Sequence, residues 1–600
     1  MKSPLSIGAL GTVLAGCLLS PVTAADGNET GEHPGWPRWC GKVYESGYPS
    51  FEPGGHTTAP PSNGSEFLHV QLATRHSIYV SGETQASFLV SAALSAWHGD
   101  PYENRTSDGV SVKPFTELRF AVHLADDDGD VPPLVQSAIP VGDVGAEYAF
   151  DLEPFEPRLE PYRVVLFGAP EFGDRNYTAT AEFSYLPPVP AGGSATKIDR
   201  LTGSLLVRQE EDWTPLLPYG YYGLYNGSND TAAADEFVRD YTSDGKGLNA
   251  IVSLAGFADT NVLYDSMDAQ GLNFMFDLRG SYQNLTEVET RVNTIKHRRS
   301  LFAYWTADEY VTSSLVYFSL LTPHRPDGWQ RPFDAPTKAQ ELIHKLDPYH
   351  PVAVTLNCQD YYFGRYSEGG DVLMADVYPI GINATFSKWG TVCNTTLGDC
   401  GCDNCEGAVQ DVSSRWDDIA QYDSWLGRWP RAPRYHNPQA FHGEDYWFRD
   451  PTPAEARVMN ALAINRGITG FFAWTWPGSR ELFDVHTEMV QVVARGSVST
   501  FLLAGQPENI AVDEELVDVA LWRGKDGQTL VSVINGGYVD IEGEFSVELP
   551  VTASGIAEVA FGGLSWGLLD GKLSINTLPA MSSSFIILES ASRHYLRYNM

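Results

Sequence analysis

Residues 302–310 read Phe302-Ala303-Tyr304-Trp305-Thr306-Ala307-Asp308-Glu309-Tyr310, a short apolar run that ends in two adjacent carboxylates. The run predicts a strand over Phe302–Thr306 that delivers acidic groups at its C-terminal end. The same texture of apolar strand, loop and amphipathic helix repeats on both sides of it. Strands are expected at Tyr219–Leu224, Ala250–Leu254, Phe274–Leu278, Pro351–Leu356, Val372–Val377, Arg434–Asn437 and Gly470–Trp474. Helices fall between them. In Pro336–Leu346, Ala339, Leu342, Ile343 and Leu346 form an i, i+3, i+4, i+7 stripe. Thr452-Pro453-Ala454-Glu455 opens another helix with a capping box and a proline at its first position. Eight strands alternating with helices predict a (β/α)8 barrel over 200–505 rather than an open doubly wound sheet. Neither G-x-G-x-x-G nor G-x4-G-K-[ST] occurs where a nucleotide loop would need it.

Further out, the texture changes. From Glu66 to Tyr185 short alternating runs such as Phe67–Leu72 and Arg163–Phe167 are punctuated by turn residues, which predicts a β-sandwich. Residues 187–194, Pro-Pro-Val-Pro-Ala-Gly-Gly-Ser, read as a linker. Past residue 510, Val517–Trp522, Thr529–Ile534 and Phe585–Leu588 return to short β runs. The expected fold class is therefore multidomain: a central (β/α)8 TIM barrel flanked by N-terminal and C-terminal β-sandwich domains. The expected boundaries are 1–25 for a signal peptide, 26–195 for the first sandwich and linker, 200–505 for the barrel and 510–592 for the second sandwich.

Lys2, the apolar run Ile7–Leu19 and the small residues Val22-Thr23-Ala24 make up the secretory signal. Nine N-x-[ST] sequons, at Asn28, Asn63, Asn104, Asn176, Asn226, Asn229, Asn284, Asn383 and Asn394, point to a secreted glycoprotein. With Cys17 removed, six cysteines remain: Cys40, Cys358, Cys393, Cys400, Cys402 and Cys405. In an oxidising compartment they predict three disulfides of open connectivity, in preference to a zinc knot in 393–405. Forty Lys and Arg against 76 Asp and Glu leave a net charge of −36. Such a surface repels phosphate backbones and anionic lipid, so nucleic acid and membrane partners are set aside. The oligomeric state is open.

In a (β/α)8 barrel the chemistry lies at the C-terminal ends of the strands. There the sequence offers Asp277 and Arg279 after the third strand, Asp308 and Glu309 after the fourth and Asp376 and Tyr378 after the sixth. Asn437, Gln439 and Glu444 follow the seventh, and Trp474 and Trp476 the eighth. No G-x-S-x-G elbow and no metal-ligand spacing accompanies them, and no metal or cofactor is expected. Carboxylates among aromatic residues suit the cleavage of a glycosidic bond: one acid protonates the leaving oxygen, and a second carboxylate attacks the anomeric carbon or activates water. Aromatic faces pack on sugar rings.

Four segments together resemble the (β/α)8 glycoside hydrolases of the β-galactosidase-like superfamily (clan A). They are Trp305…Ala307-Asp308-Glu309, Leu346-Asp347-Pro348…His350-Pro351, Asp376-Val377-Tyr378-Pro379 and Gly470…Trp474-Thr475-Trp476. The resemblance covers the middle half of the chain and implies a carbohydrate substrate. It gives Glu309, at the end of strand four, the role of general acid/base, with Asp308 standing where the superfamily has Asn. It expects a nucleophilic Glu at the end of strand seven, where this chain reads Asn437-Pro438-Gln439-Ala440-Phe441 and the next Glu is Glu444.

Each candidate also has a plainer reading. Glu309 stands as proton donor or as a rim ion pair with Arg279. Asp308, Asp376, Glu444 and Asp277 compete for the second carboxylate. Asp308 also suits a turn cap, Asp376 a loop-fixing residue, Glu444 a solvated surface group and Asp277 a partner for Arg279. Trp305, Tyr378, Gln439, Trp474 and Trp476 are candidate substrate contacts, and period-two alternation puts both Trp474 and Trp476 toward the mouth or into the core. Asp126-Asp127-Asp128-Gly129-Asp130 reads as an acidic turn, because Ser137 stands where a calcium loop needs Glu. The expected activity is a secreted glycoside hydrolase; the alternative is a glycan-binding or cell-wall protein on a barrel that has lost its nucleophile.

Overall fold

The structure is a computed structural model. It describes residues 36, 38–62, 64–107, 112–125, 132–171, 175–209, 211–223, 225, 229–254, 261–308, 332–387, 389–398, 400–430, 432–444, 447–476 and 478–590. The signal segment, Asn28, Asn63, Asn226, the acidic turn 126–130 and Glu309 lie outside the described residues.

Eight parallel strands close into a barrel. They are β1 (Tyr219–Gly223), β2 (Ala250–Ser253), β3 (Asn273–Asp277), β4 (Leu301–Ala307), β5 (Val352–Leu356), β6 (Val372–Asp376), β7 (Arg434–Asn437) and β8 (Gly470–Trp476). Each is almost wholly buried because its two faces meet different cores. Val252, Met275, Trp305, Met374, Tyr435 and Phe472 fill the interior. Tyr221, Phe274, Tyr304 and Phe471 pack outward against the helices. The helix Ala335–Leu346 buries Ala339 and Ile343 and rests Leu342 and Leu346 on that outer core. The helix Pro453–Ile464 starts at Thr452, whose hydroxyl accepts from the Glu455 N–H while the Glu455 carboxylate accepts from the Thr452 N–H.

A small antiparallel sheet, Ala195–Asp199, Ser204–Arg208 and Trp213–Leu216, lies directly before β1. It places Ile198, Leu205, Val207 and Leu216 in the core of the barrel interior and so closes the end opposite the strand C-termini. Segment 187–194 docks on the same end: Ser194 Oγ donates to the carbonyls of Arg298 and Leu301 and meets His350 Nε2 at 3.0 Å.

N-terminal to the barrel, sheets of five and four strands spanning Phe67–Leu186 share one core, including Leu68, Phe88, Phe120, Leu166 and Phe183. C-terminal to it, sheets of five and three strands spanning Glu508–Ser590 enclose Val519, Val531, Leu573 and Ile586. The outer face of the larger one, with Trp522, Ile534 and Phe585, joins the core under the barrel helices.

The six cysteines form three disulfides: Cys40–Cys358, Cys393–Cys400 and Cys402–Cys405. The first spans 318 residues and ties the N-terminal segment to the loop after β5. The sequon residues Asn104, Asn176, Asn229, Asn284, Asn383 and Asn394 are all exposed. Among the described residues no helix is long and apolar enough to cross a membrane.

Candidate active site

The strand C-termini gather a compact charged cluster. Asp277, the last residue of β3, accepts from the Arg279 backbone N–H at 3.0 Å and from its Nε at 3.2 Å. The same guanidinium reaches Asp308, just past β4, through Nη1 at 3.3 Å and lies over the Trp305 ring, 4.9 Å from its centroid. Asp376 closes β6 and stands in register with Asn437, which closes β7 and donates Nδ2–H to Asp376 Oδ1 at 2.6 Å. Asp308 and Asp376 are both buried, 3% and 6% exposed.

A bulge aims Asp308. Trp305 and Ala307 of β4 pair with the consecutive residues Ala353 and Val354 of β5, so β4 carries one extra residue. Such an insertion bends a strand and redirects the side chains that follow. Two carboxylates, Asp277 and Asp308, thus share the Arg279 guanidinium, and Asp376 lies near enough for its charge to act on Asp308. Burial pushes the Asp308 carboxyl well above the usual carboxylate range. The Asp376 charge adds to the rise, and Arg279 only partly opposes it.

Aromatic and hydroxyl groups floor the cluster. The Trp305 indole donates to Thr355 Oγ1 at 2.9 Å, and Tyr222 Oη lies 3.4 Å from the same hydroxyl. The Tyr222 ring packs on Trp305 at 4.8 Å and on Trp474 at 5.3 Å. The buried Asn437 Oδ1 has no partner among the described residues. It is therefore an acceptor that a bound hydroxyl can satisfy.

Of the expected site residues, Asp277, Arg279, Trp305, Asp308 and Asp376 come together, with Trp474 beside them through Tyr222. Trp476 does not join them. Tyr221 and Gly223 of β1 pair with Ala473 and Trp476 of β8, two residues against three, so the period-two alternation breaks between the two tryptophans. Trp476 consequently packs outside the barrel on Tyr221, Tyr241 and Phe483. Gln439 is corrected as a substrate contact: its Nε2 donates to the Ile380 carbonyl at 2.7 Å and its Oε1 accepts from the Ile380 N–H at 2.9 Å, so it fixes the loop after β6. Tyr378 lies under the loops, its ring against Phe441 and Trp447. Glu444 is half-buried on the loop after β7, its carbonyl accepting from the Trp447 N–H at 3.2 Å. Thr355 and Tyr222 were missed, and Asn437, placed at the end of strand seven, was given no role. Alternation along Tyr435-His436-Asn437 would have marked Asn437, because Tyr435 faces the interior.

No family model matches the sequence, and no curated protein matches it. Among solved structures, the chain is similar to a putative alpha-galactosidase from Bacteroides fragilis NCTC 9343, at 10% identity and TM-score 0.41, over 89% of this chain and 100% of that one. It is similar to alpha-galactosidase I from Mortierella vinacea at 11% identity and TM-score 0.40, over 63% and 98% of the two chains. A beta-glucuronidase from Parabacteroides merdae matches at 11% identity and TM-score 0.30, over 87% and 74%.

Proposed function

We propose that the chain is a secreted, N-glycosylated glycoside hydrolase whose barrel is flanked by two β-sandwich modules. One observation carries this reading: two buried carboxylates, Asp308 and Asp376, stand at the ends of β4 and β6, where burial and the charge of Asp376 push the Asp308 carboxyl upward. A neutral acid next to an ionised carboxylate is the pair that glycosidic cleavage needs. Asp308 gives its proton to the departing oxygen. Asp376, oriented by Asn437, attacks the anomeric carbon or activates a water. Arg279 and Asp277 hold the rim around the sugar, and the half-buried Trp474 supplies an apolar face backed by the buried Tyr222 and Trp305. Glu309, which the resemblance makes the proton donor, is the second candidate for that role.

Hydrolysis of a panel of 4-nitrophenyl α- and β-glycosides by the wild type and by Asp376→Asn, Asp308→Asn and Glu309→Gln tests the assignment. Loss of about 10³-fold or more in kcat is expected for Asp376→Asn and for whichever variant removes the donor. Near-wild-type turnover by Asp376→Asn overturns it. A downward mass shift on enzymatic deglycosylation of the secreted protein checks the sequons.

A glycan-binding barrel without turnover is the second reading. It is favoured by Gln439, an amide engaged with backbone in the strand-seven segment where the resemblance expects a nucleophile. Retention on a glycan array without release of sugar from any substrate would select it.

A further inference from the structure

We propose that the loops leaving β6 and β7 form an aromatic platform that seats an extended, uncharged polysaccharide beside the carboxylates, so that the substrate is a polymer rather than a free mono- or disaccharide. The proposal rests on the glycosidase reading and extends it outward from the barrel mouth.

Loops that run over a surface are normally polar, and a group of exposed large apolar side chains marks a contact site. Phe386, Trp389 and Val392, on the loop after β6, are 50%, 42% and 45% exposed, and Phe448, on the loop after β7, is 77% exposed. The two loops touch. The Phe448 N–H donates to the Gly381 carbonyl at 2.8 Å, and a Cβ at Gly381 (φ +83°) would lie 2.3 Å from the Arg449 carbonyl oxygen. Both loops leave the strands that carry Asp376 and Asn437, so the exposed rings stand on the loops at the carboxylate end of the barrel.

The first loop is also held in shape. Cys393–Cys400 and Cys402–Cys405 staple it, and Ser387 N–H donates to the Thr391 carbonyl at 2.7 Å. The N-terminal segment clamps it from outside. Thr391 Oγ1 donates to the Tyr44 carbonyl at 2.7 Å, Gly398 N–H donates to the Val43 carbonyl at 2.9 Å, and Lys42 pairs with the buried Asp403. The Tyr44 ring backs Trp389 at 5.7 Å. That segment is itself bonded to the barrel through Cys40–Cys358. Holding exposed rings on a fixed loop removes the ordering entropy that binding would otherwise oppose. Flat rings match the apolar faces of pyranose units, and a net charge of −36 disfavours acidic polysaccharides.

The test uses the full-length glycosylated protein with Phe386→Ala, Trp389→Ala and Phe448→Ala variants, each checked by melting temperature. Affinity electrophoresis in gels containing galactomannan, arabinoxylan or laminarin reads binding. At least one polymer is expected to retard the wild type, with its dissociation constant raised roughly five- to tenfold in Phe386→Ala and Phe448→Ala. The ratio of kcat/KM on that polymer to kcat/KM on a 4-nitrophenyl glycoside should fall by a similar factor. No retardation of the wild type by any polymer, or equal retardation of all variants, overturns the platform. So does a dimer in light scattering that Phe448→Ala dissociates, because a second copy would then cover the patch. Cleavage of aryl glycosides without polymer binding sinks the platform and leaves the glycosidase reading standing. Platform-dependent binding with no cleavage of any glycoside does the reverse.

Discussion

Asn437 donates to Asp376 across the β6–β7 pair at 2.6 Å, in register, with both residues buried. The bond joins the last residues of two neighbouring strands, so the carboxylate is oriented by the barrel itself and not by a loop. A charge-assisted bond in such a setting is stronger than a neutral one. Asn437→Ala removes this donor and weakens the orientation of the carboxylate. A fall in kcat of about ten- to a hundredfold is expected, with a smaller change in KM. Steady-state kinetics on an aryl glycoside measures it, and an unchanged kcat would separate Asn437 from catalysis.

Asp308 carries a stability signature. Its folded pKa is raised above the unfolded value by burial and by the Asp376 charge. The stability it contributes is therefore full below the unfolded pKa, near 4, and is lost as pH rises through the folded pKa. At neutral pH, where the carboxyl of the unfolded chain is ionised, burying this group opposes folding. Asp308→Asn should raise the melting temperature at pH 7 by about 1–3 °C, with the gain shrinking toward pH 4. Calorimetry at the two pH values decides, and a destabilised variant at pH 7 would show that the Arg279 bond outweighs burial.

Gln439→Glu tests whether strand seven can be returned to the pattern of the superfamily it resembles. The new carboxylate cannot donate to the Ile380 carbonyl and would face that oxygen with a negative charge. A loss of about 1–3 kcal/mol in urea unfolding is expected, with no gain in hydrolysis. Increased turnover would mean that this side chain reaches the substrate after all.

Glu455 ties three elements together. It accepts from Thr452 at the helix start, from Arg449 of the preceding loop at 2.7 and 2.8 Å, and from the Tyr538 hydroxyl of the C-terminal sheets. These donors hold its carboxyl down at about 2, against burial. The stability it supplies is present above pH 4.5 and is lost as pH falls toward 2. Glu455→Gln should therefore unfold at lower urea than the wild type at pH 7, with the two midpoints converging as pH approaches 3. Parallel curves across that range would refute the linkage.

The barrel was legible because each strand is an apolar run buried on two faces, which stands out against its flanking loops; Arg434–Asn437 coincides with the strand observed. The first turn of Pro453–Ile464 was legible because capping is local chemistry. What depended on register was not. One extra residue in β4 turns Asp308 inward and one in β8 turns Trp476 outward, and no periodicity count reveals either. The three-stranded sheet before β1 carried no strand expectation: its first strand straddles the expected boundary at 195–200 and the other two fall inside the expected barrel segment. Disulfide partners 318 residues apart are neighbours only after the barrel has closed.

That last pairing constrains how the protein is made. A ribosome adding about 5–20 residues per second needs roughly 15–60 seconds to carry synthesis from Cys40 to Cys358, and only a few more to reach Cys393, Cys400, Cys402 and Cys405. For most of translation the first thiol therefore emerges without its mate, and then five candidates arrive almost at once. The Cys40–Cys358 bond must wait until about three-fifths of the polypeptide has been extruded, so the order in which the cysteines emerge leaves Cys40 to find one partner among five.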